Sequence, residues 1–433
     1  MSGRAVFVLV FLPFALGHYL SSLIRTVNAT LAPQLMAALA LTPGQLGLLT
    51  SAFFLAFALA QLPVGMALDR WGPARVQPPM LLLAALGALA FSGGRDFAEL
   101  LVARALIGLG LGGCFMSAVK AVSTWIAPAR LPSVQGYLIA AGGLGAASAT
   151  LPVRLALHYT DWRGLFVGLA AAAACLALLI WLVAPSAPPA SASSSPSPSS
   201  AARPASLAVL REVFRHPAFR EVAQLVMVPH MVFFGIQGLW ISRWLSDVAG
   251  FSEAAVTYLL YLGMAAVIFG AIAVGMITEW AGRRGVAPIS VAAAGVALFI
   301  AVQLGFVLNW APSFQLLSVV FTLVGTVTGI EYAIVAQSLP PSLTGRGATF
   351  LNLLIFLGAF AMQAGFGLVL GCWRPDALQH YPAQAYQVAF GVLVLLQLRG
   401  LVLFARRRWG TAAQSGRIDY PSGNPATSPP ITR

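Results

Sequence analysis

Long apolar runs separated by short polar segments dominate the pattern of this chain. A helix needs about 20 apolar residues to cross the hydrocarbon core of a bilayer. Hydropathy and helix-breaking residues place twelve such runs at 6–33, 45–68, 76–93, 98–122, 132–155, 163–184, 221–245, 253–278, 286–308, 313–337, 346–370 and 387–405. The pattern therefore predicts an all-α integral membrane protein with twelve transmembrane helices.

Two stretches lack this apolar pattern. Residues 185–220 begin with Ser/Pro/Ala low complexity and end with several arginines, and residues 409–433 are similarly polar. Such compositions do not bury a core. We therefore expect a cytoplasmic linker whose first, Ser/Pro/Ala part is a flexible tether, and a disordered cytoplasmic tail, with a six-helix bundle at 1–184 and a second one at 221–408.

A charged hairpin follows the second run, and a copy of it follows the eighth. The hairpin contains Gly65, Asp69, Arg70, Gly72 and Arg75, and the copy contains Gly275, Glu279, Gly282, Arg283 and Arg284. A shift of 210 positions relates Gly65, Asp69 and Gly72 to Gly275, Glu279 and Gly282. A constant shift of about half the chain predicts two pseudo-symmetric six-helix bundles that arose by duplication in parallel orientation.

Composition supports a membrane protein. The chain is 59% hydrophobic and 9% charged, whereas soluble domains carry about 25% charged residues. The net charge of +13 is explained better by arginines in cytoplasmic loops than by binding of nucleic acid. No Walker loop, metal-ligand spacing or nucleophile–base motif is present, so we expect no enzymatic activity, no metal and no cofactor.

The arginines also predict orientation. With the amino terminus inside, sixteen lie in cytoplasmic segments and five in outer loops, as the positive-inside rule requires. We expect a multi-pass protein of the plasma membrane, of the bacterial inner-membrane type, with both termini cytoplasmic. We expect the protein to lie in a lipid bilayer, to bind a small-molecule substrate and to be a monomer.

The chain resembles the major facilitator superfamily of secondary transporters. The resemblance lies in the six-plus-six helices, the hairpin with its copy, and an Arg-x-x-x-Gly-x-Gly pattern at Arg104, Gly108 and Gly110. It implies two bundles around a central cavity that opens alternately to each side, with the first, fourth, seventh and tenth helices lining that cavity. It does not imply a substrate.

The resemblance also implies that the hairpin is a cytoplasmic latch between the bundles. In that role Gly65 allows close helix contact, and Asp69 lies at a helix amino terminus and pairs with Arg70 or Arg75. Family members often carry two adjacent basic residues where this chain has Arg75 alone, so the latch is expected to be weak. The alternative is that these charges only set topology.

Few charges lie inside the predicted helices. Glu331 is the one acidic residue well within a run, and Lys120 is the one lysine of the chain. A charge in the bilayer core costs at least about 2.5–3.5 kcal/mol, so it usually faces a cavity or a partner. We expect the two side chains, which occupy near-equivalent repeat positions, to pair across the axis and close the cytoplasmic side. The alternative is that both snorkel to the headgroups.

Cationic side chains favour an anionic substrate. Arg25, Arg104 and Lys120 outweigh Glu331, and the guanidinium fork of arginine suits a carboxylate. Because Gly235 occupies the repeat position of Arg25, a monocarboxylate is favoured over a sugar phosphate. Arg104 has a second interpretation, as a structural residue bonded to backbone. The further expected cavity contacts are Asn28, Gln237, Trp240, Asn352 and Gln363.

Two histidines bear on proton coupling. His18 and His230 lie near the same repeat position, and an imidazole titrates near neutral pH. The more common role of such a histidine is a hydrogen bond to a neighbouring helix, and Glu331 is the better proton carrier. We therefore expect a secondary active transporter that moves a small organic anion by alternating access and is coupled to protons. The alternatives are a proton-driven exporter of an amphipathic compound and a transport-inactive membrane sensor.

Overall fold

Helices make up the fold of this protein. The computed structural model describes residues 3–126, 131–185, 207–309, 313–339, 341–376 and 380–415, and these residues form helices and no β-strand. Twelve segments within them are long and apolar enough to cross a membrane. Numbered as spans 1 to 12, they are Phe7–Thr26, Pro43–Trp71, Pro73–Gly93, Phe97–Trp125, Gly136–Ala156, Trp162–Val183, Phe219–Gln237, Glu253–Gly282, Pro288–Val307, Phe314–Val335, Gly347–Leu370 and Ala383–Arg407. The predicted fold class is confirmed.

The helix bundle has two ends, which we call the hairpin end and the far end. The hairpin end carries residues 69–75 and their copy 279–284, and the far end is the opposite one. The span that follows each far-end turn begins with a similar cap. Thr42 accepts a hydrogen bond from Gln45 N at 3.2 Å, and Ser252 accepts one from Ala255 N at 3.3 Å. These caps satisfy backbone donors that the first helical turn leaves free, and they lie 210 residues apart.

Spans 1, 4, 7 and 10 are interrupted near their middles or far ends. The helix pairs on either side of the interruptions are Leu12–Thr26 with Asn28–Leu39, Phe97–Leu111 with Cys114–Trp125, Val228–Gln237 with Trp240–Asp247, and Phe314–Gly325 with Ile330–Ser338. A 3₁₀ turn at Thr326–Gly329 forms the last interruption. Irregular backbone is tolerated in a membrane only where protein or a cavity surrounds it. These four spans therefore face the interior, as the family resemblance implies.

Spans 2 and 11 form an extensive contact between the two halves. Glycines let their backbones approach: a Cβ on Gly367 would lie 2.5 Å from the Pro43 carbonyl oxygen, and one on Gly47 would lie 3.0 Å from that of Gln363. Further along, the rings of Phe57 and Phe356 pack with centroids 4.5 Å apart. Small residues that permit such close packing are a common device in membranes.

The predicted linker is partly helical. Helices Leu207–Arg215 and Pro217–Val222 precede span 7, and Val213 and Phe219 are buried in a cluster with residues of spans 10 and 11. The arginine-containing end of the linker is thus helical, and apolar side chains between its arginines pack on the second half. Residues 186–206 lie outside the described residues.

The carboxyl-terminal boundary also differs from the prediction. The helix that contains span 12 runs from Ala383 to Ser415, so it continues beyond the predicted start of the tail at 409. The remainder of the predicted tail, 416–433, lies outside the described residues.

We predict that Gly367→Ala weakens the contact between spans 2 and 11, because the new methyl group would collide with backbone rather than with a mobile side chain. Overpacking of this kind costs about 1–3 kcal/mol, so the thermal denaturation temperature of the detergent-solubilised protein should fall. Gly365→Ala is the matched control in the same helix, since its Cβ would meet nothing within 4 Å. Equal denaturation temperatures for the two variants would contradict this packing.

Candidate functional site

Polar and aromatic side chains from five spans meet between the two halves. We call this group the central cluster. Its members are Arg25 of span 1, Gln61 of span 2, His230 and Phe234 of span 7, Glu331 and Tyr332 of span 10, and Asn352 of span 11. Arg25, Phe234, Tyr332 and Asn352 are partly exposed, whereas Gln61, His230 and Glu331 are buried. The cluster thus has an accessible wall with titratable groups behind it.

A buried acid–base pair lies at the back of the central cluster. Nδ1 of His230 contacts Oε1 of Glu331, joining span 7 to span 10. The imidazole stacks on Phe234, with centroids 5.0 Å apart, and meets the edge of Tyr332 at 6.0 Å. The other carboxylate oxygen of Glu331 is buried and has no hydrogen-bond partner among the described residues. Burial without full hydrogen bonding makes the charge of this carboxylate costly.

A chain of hydrogen bonds connects the cluster across the halves. Tyr332 donates its hydroxyl to Asn352 Oδ1 at 2.8 Å, and Asn352 Nδ2 donates to Gln61 Oε1 at 3.0 Å. Gln61 Nε2 in turn donates to the carbonyl of Gly112 at 3.0 Å and to that of Phe57 at 3.2 Å. Because Gly112 lies at the interruption of span 4, the chain joins both halves to that interruption.

Arg25 lies on the accessible wall of the cluster. Its guanidinium lies over the ring of Phe234, 5.2 Å from the centroid. In the described part of the chain, no carboxylate lies within ion-pair distance of this group. A guanidinium so placed keeps hydrogen-bond donors available for an anion.

Arg104 is structural, so its assignment as a cavity contact is wrong and its second interpretation is supported. The side chain is fully buried and donates to the carbonyl oxygens of Ile24 at 3.0 Å and Arg25 at 3.2 Å. It also lies over the ring of Phe53 at 5.0 Å. Both carbonyls belong to the turn before the interruption of span 1, whose backbone needs donors. Arg104 therefore positions the segment that carries Arg25.

The expected contact between Lys120 and Glu331 is not formed in this structure. Lys120 Nζ pairs with Asp69 Oδ1 in the first half, and Glu331 pairs with His230 in the second. The Lys120 and Asp69 side chains are 35% and 63% exposed, which matches the alternative that Lys120 reaches toward the headgroup region. Lys120 and Glu331 are thus each paired with a residue of their own half, in which the helices are packed together.

The hairpin residues differ from the expected latch geometry. Asp69 lies in the last turn of helix Pro43–Trp71, so its placement at a helix amino terminus was wrong. A Cβ on Gly65 would meet nothing within 4 Å, so this glycine makes no close helix contact here. Gly72 adopts a φ of 76°, a left-handed conformation that favours glycine. Arg75 is exposed.

The charges beside the two hairpins make local contacts. Arg70 lies over the ring of Trp71 at 5.3 Å, and Arg284 lies over Trp280 at 3.8 Å. Arg283 pairs with Glu279 at 2.9 Å on one exposed helix turn. Gly275 and Gly282, like Gly65, have open space at the Cβ position. Within the described part of the chain, the hairpin residues form no close contact between the two halves in this conformation.

The other predicted cavity residues lie in packed interfaces. Trp240 is buried and donates to the carbonyl of Gln363 at 3.0 Å, and the amide of Gln363 is buried without a hydrogen-bond partner among the described residues. Gln237 lies 3.5 Å from the sulfur of Met264. Asn28 is buried, with its Nδ2 3.5 Å from Thr50 Oγ1. Of the predicted contacts, Arg25 and Asn352 are those that reach the central cluster.

The two histidines have different surroundings. His230 belongs to the central cluster, whereas His18 packs on Phe115 at 4.8 Å and against Gly142 within the first half. Gln61, Phe234 and Tyr332 were not predicted as site residues. Gln61 had a visible signal, as one of few polar residues in its apolar run, and Tyr332 adjoins Glu331. Phe234 had a weaker signal, since it lies one helical turn after His230.

No group of three or more metal-ligating side chains was found within the described ranges. The groups of the central cluster include an imidazole and a carboxylate, which are able to exchange a proton, and a guanidinium, which is able to bind an anion.

We predict that His230→Gln and Glu331→Gln are strongly non-additive. Each single change leaves a buried polar group without its partner, whereas the double change removes both charges, and contacting residues show coupling of about 0.5–3 kcal/mol. Thermal denaturation of the four proteins measures this. His18→Gln combined with Glu331→Gln serves as the control pair and should be additive. Additivity for both pairs would contradict the His230–Glu331 contact.

Sequence comparison identifies relatives of this chain. Residues 14–363 match the family described as Major Facilitator Superfamily. A probable sulfoacetate transporter of Cupriavidus necator is 30% identical over 154 residues, 35% of this chain and 36% of the relative. A nitrate/nitrite transporter of Nostoc punctiforme is 33% identical over 107 residues, 24% of this chain and 21% of the relative. These alignments thus span about a third or less of the relatives' lengths.

Structural comparison agrees. A crystal structure of a bacterial homologue of the human lysosomal transporter Spinster, in an inward-facing and unoccupied conformation, has a TM-score of 0.75 at 18% identity. The similarity covers 93% of this chain and 97% of that one, and it establishes a shared fold. The family resemblance predicted from the sequence is confirmed, and the family is one of membrane transporters rather than enzymes. The chain belongs to the Major Facilitator Superfamily.

Proposed function

We propose that this protein is a secondary active transporter that carries a small organic anion by alternating access and couples this movement to protons. The observation that carries the proposal is the central cluster, in which an accessible arginine without a carboxylate partner among the described residues lies beside a buried histidine–glutamate pair. The relatives named for sulfoacetate and for nitrate or nitrite support an anionic substrate.

Arg25 is the proposed anchor for the anion. Its fork donates two parallel hydrogen bonds to a carboxylate or a sulfonate, and such charge-assisted bonds are about twice as strong as neutral ones. The repeat-equivalent position is Gly235, which carries no charge. A single cationic anchor favours one anionic group, so a monocarboxylate-like ligand remains the preferred class.

The His230–Glu331 pair is the proposed proton carrier. When the pair holds a proton its net charge is zero, and when it releases the proton its net charge is negative. Both His230 and Arg25 contact the ring of Phe234, so these charges are close enough to interact in a medium of low dielectric constant. A deprotonated pair attracts Arg25 and competes with the substrate anion. Anion and proton are therefore bound together, which is the linkage that symport requires.

Alternating access is supported by where the halves meet in this conformation. Near the far end Gly47 and Gly367 pack against the opposite half, and Ser242 Oγ lies 3.3 Å from the Ala29 carbonyl. At the hairpin end Asp69 pairs with Lys120 of its own half, and no ion pair with the second half is found among the residues that the structure describes. If the hairpin end is cytoplasmic, as the arginine distribution predicts, this conformation is closed toward the outside.

We predict that Arg25→Gln lowers uptake of radiolabelled monocarboxylates into proteoliposomes by about 10–100-fold, because a charge-assisted anchor is worth about 1.5–3 kcal/mol. Arg25→Lys should retain part of the activity, since it keeps the charge but loses the fork. Arg163→Gln is the control, because Arg163 bonds to Ser92 and Gly94 carbonyls at the far end. Lactate and benzoate are tested in parallel as monocarboxylates. Uptake of organic cations with no uptake of anions would refute the substrate class.

We further predict that Glu331→Gln separates exchange from accumulation. Without a titratable carboxyl the carrier should still exchange labelled for unlabelled anion across the membrane. It should not accumulate the anion when an inward pH gradient is imposed. Accumulation that persists in Glu331→Gln and in His230→Gln would show that the proton is carried elsewhere or that transport is not proton-coupled.

A further inference from the structure

An open polar pocket lies between the two halves at the far end, away from the central cluster. Its volume is about 230 Å³, and both halves contribute to its wall. The first half contributes Thr30, Gln34, Arg154 and His158 among others, and the second half contributes Ser242, Arg243, Glu253 and Thr257. The space is sufficient for a small organic acid.

Arg154 is the cation of this pocket that bridges the halves. Its Nη1 donates to Thr257 Oγ1 at 3.1 Å, and its Nη2 lies 3.9 Å from Glu253 Oε2. The Glu253 side chain is 67% exposed and that of Arg154 is 26% exposed. An exposed ion pair at this distance contributes about 0–1 kcal/mol, so another carboxylate readily replaces Glu253.

The other arginine of the pocket is engaged differently. Arg243 pairs with Asp247 at 2.8 Å, and the Asp247 side chain is fully buried. Asp247 also accepts hydrogen bonds from Tyr386 Oη at 2.8 Å and from Tyr381 N at 3.3 Å. A buried, multiply bonded pair of this kind is costly to separate. Arg243 therefore remains paired with Asp247 and forms a polar part of the pocket wall, whereas Arg154 is the group that is able to exchange partners.

We propose that this pocket is a second anion site, at which the carboxylate of the transported molecule replaces Glu253 on Arg154 before it reaches Arg25. The inference rests on the proposed function, since it assigns the same class of ligand to a second position. Because Arg154 belongs to the first half and Glu253 to the second, occupation of the site also removes a contact that holds the far end closed.

The two roles open to Arg154 make opposite predictions for Glu253. If Arg154 only locks the halves together, removing either partner has the same effect. If Arg154 binds the anion, Glu253 is a competitor, so its removal tightens binding while removal of Arg154 abolishes it. A gain of affinity in Glu253→Gln is also an outcome that a misfolded variant does not produce.

The test uses the full chain in detergent with Arg25→Gln as background, which removes the central anchor. Thermal stabilisation is titrated with acetate, lactate and benzoate, and a fit of its dependence on ligand concentration, RT ln(1 + [L]/Kd), gives an apparent affinity. We expect residual binding in Arg25→Gln, at least tenfold weaker binding after Arg154→Gln is added, and about two- to fivefold tighter binding after Glu253→Gln is added. Adding Arg163→Gln, which removes a charge at the same end, should leave the affinity unchanged.

The failures of the two proposals are distinguishable. If the wild-type protein binds these anions and Arg25→Gln abolishes binding, the second site is refuted and the central one stands. Equal effects of Arg154→Gln and Glu253→Gln on residual binding refute anion exchange at Arg154. If the wild-type protein is stabilised by none of the three anions, the proposed monocarboxylate class fails and the second site fails with it.

Discussion

The cost of holding a charge away from water determines where the functional groups of this protein lie. A charged side chain within a span is expensive in lipid, and several of these side chains are placed by a partner that compensates them. Glu331 is held by His230, Lys120 by Asp69, and Arg104 by two backbone carbonyls. Arg25 differs, since its main contact is the face of an aromatic ring. It is the cation best able to accept an external partner.

The same constraint explains how the two halves communicate. In the part of the chain that the structure describes, a route of amide and hydroxyl groups leads from Tyr332 through Asn352 and Gln61 to Gly112. Each of these groups needs a partner because burial without one is costly. Movement of span 10 relative to span 2 therefore changes hydrogen bonds at the interruption of span 4. Ordinary hydrogen bonds thus link Tyr332, the residue next to Glu331, to the interruption of span 4 in the first half.

Hydropathy and the repeated hairpin were sufficient to predict the fold, because the length of each span and the 210-residue shift are read directly from the sequence. The central cluster was predicted only in part. Arg25, His230, Glu331 and Asn352 are polar residues in apolar runs and are visible as such, but partner choice depends on helix rotation and on depth. For this reason Lys120 was paired with the wrong residue. Arg104 was predicted to contact the substrate because its actual partners are backbone carbonyls. Every residue has a backbone carbonyl, so such partners leave no signal in the sequence.

The interruptions of spans 1, 4, 7 and 10 have a mechanical consequence. An unbroken helix behaves as a single rod, so tilting one end displaces the other. A helix divided near its middle behaves as two shorter levers that share a pivot. Arg25, Phe234, Glu331 and the carbonyl of Gly112 all lie within a few residues of such a pivot. In the alternating access that we propose, these groups would occupy the points that travel least, while the segments beyond them swing to admit or enclose a ligand.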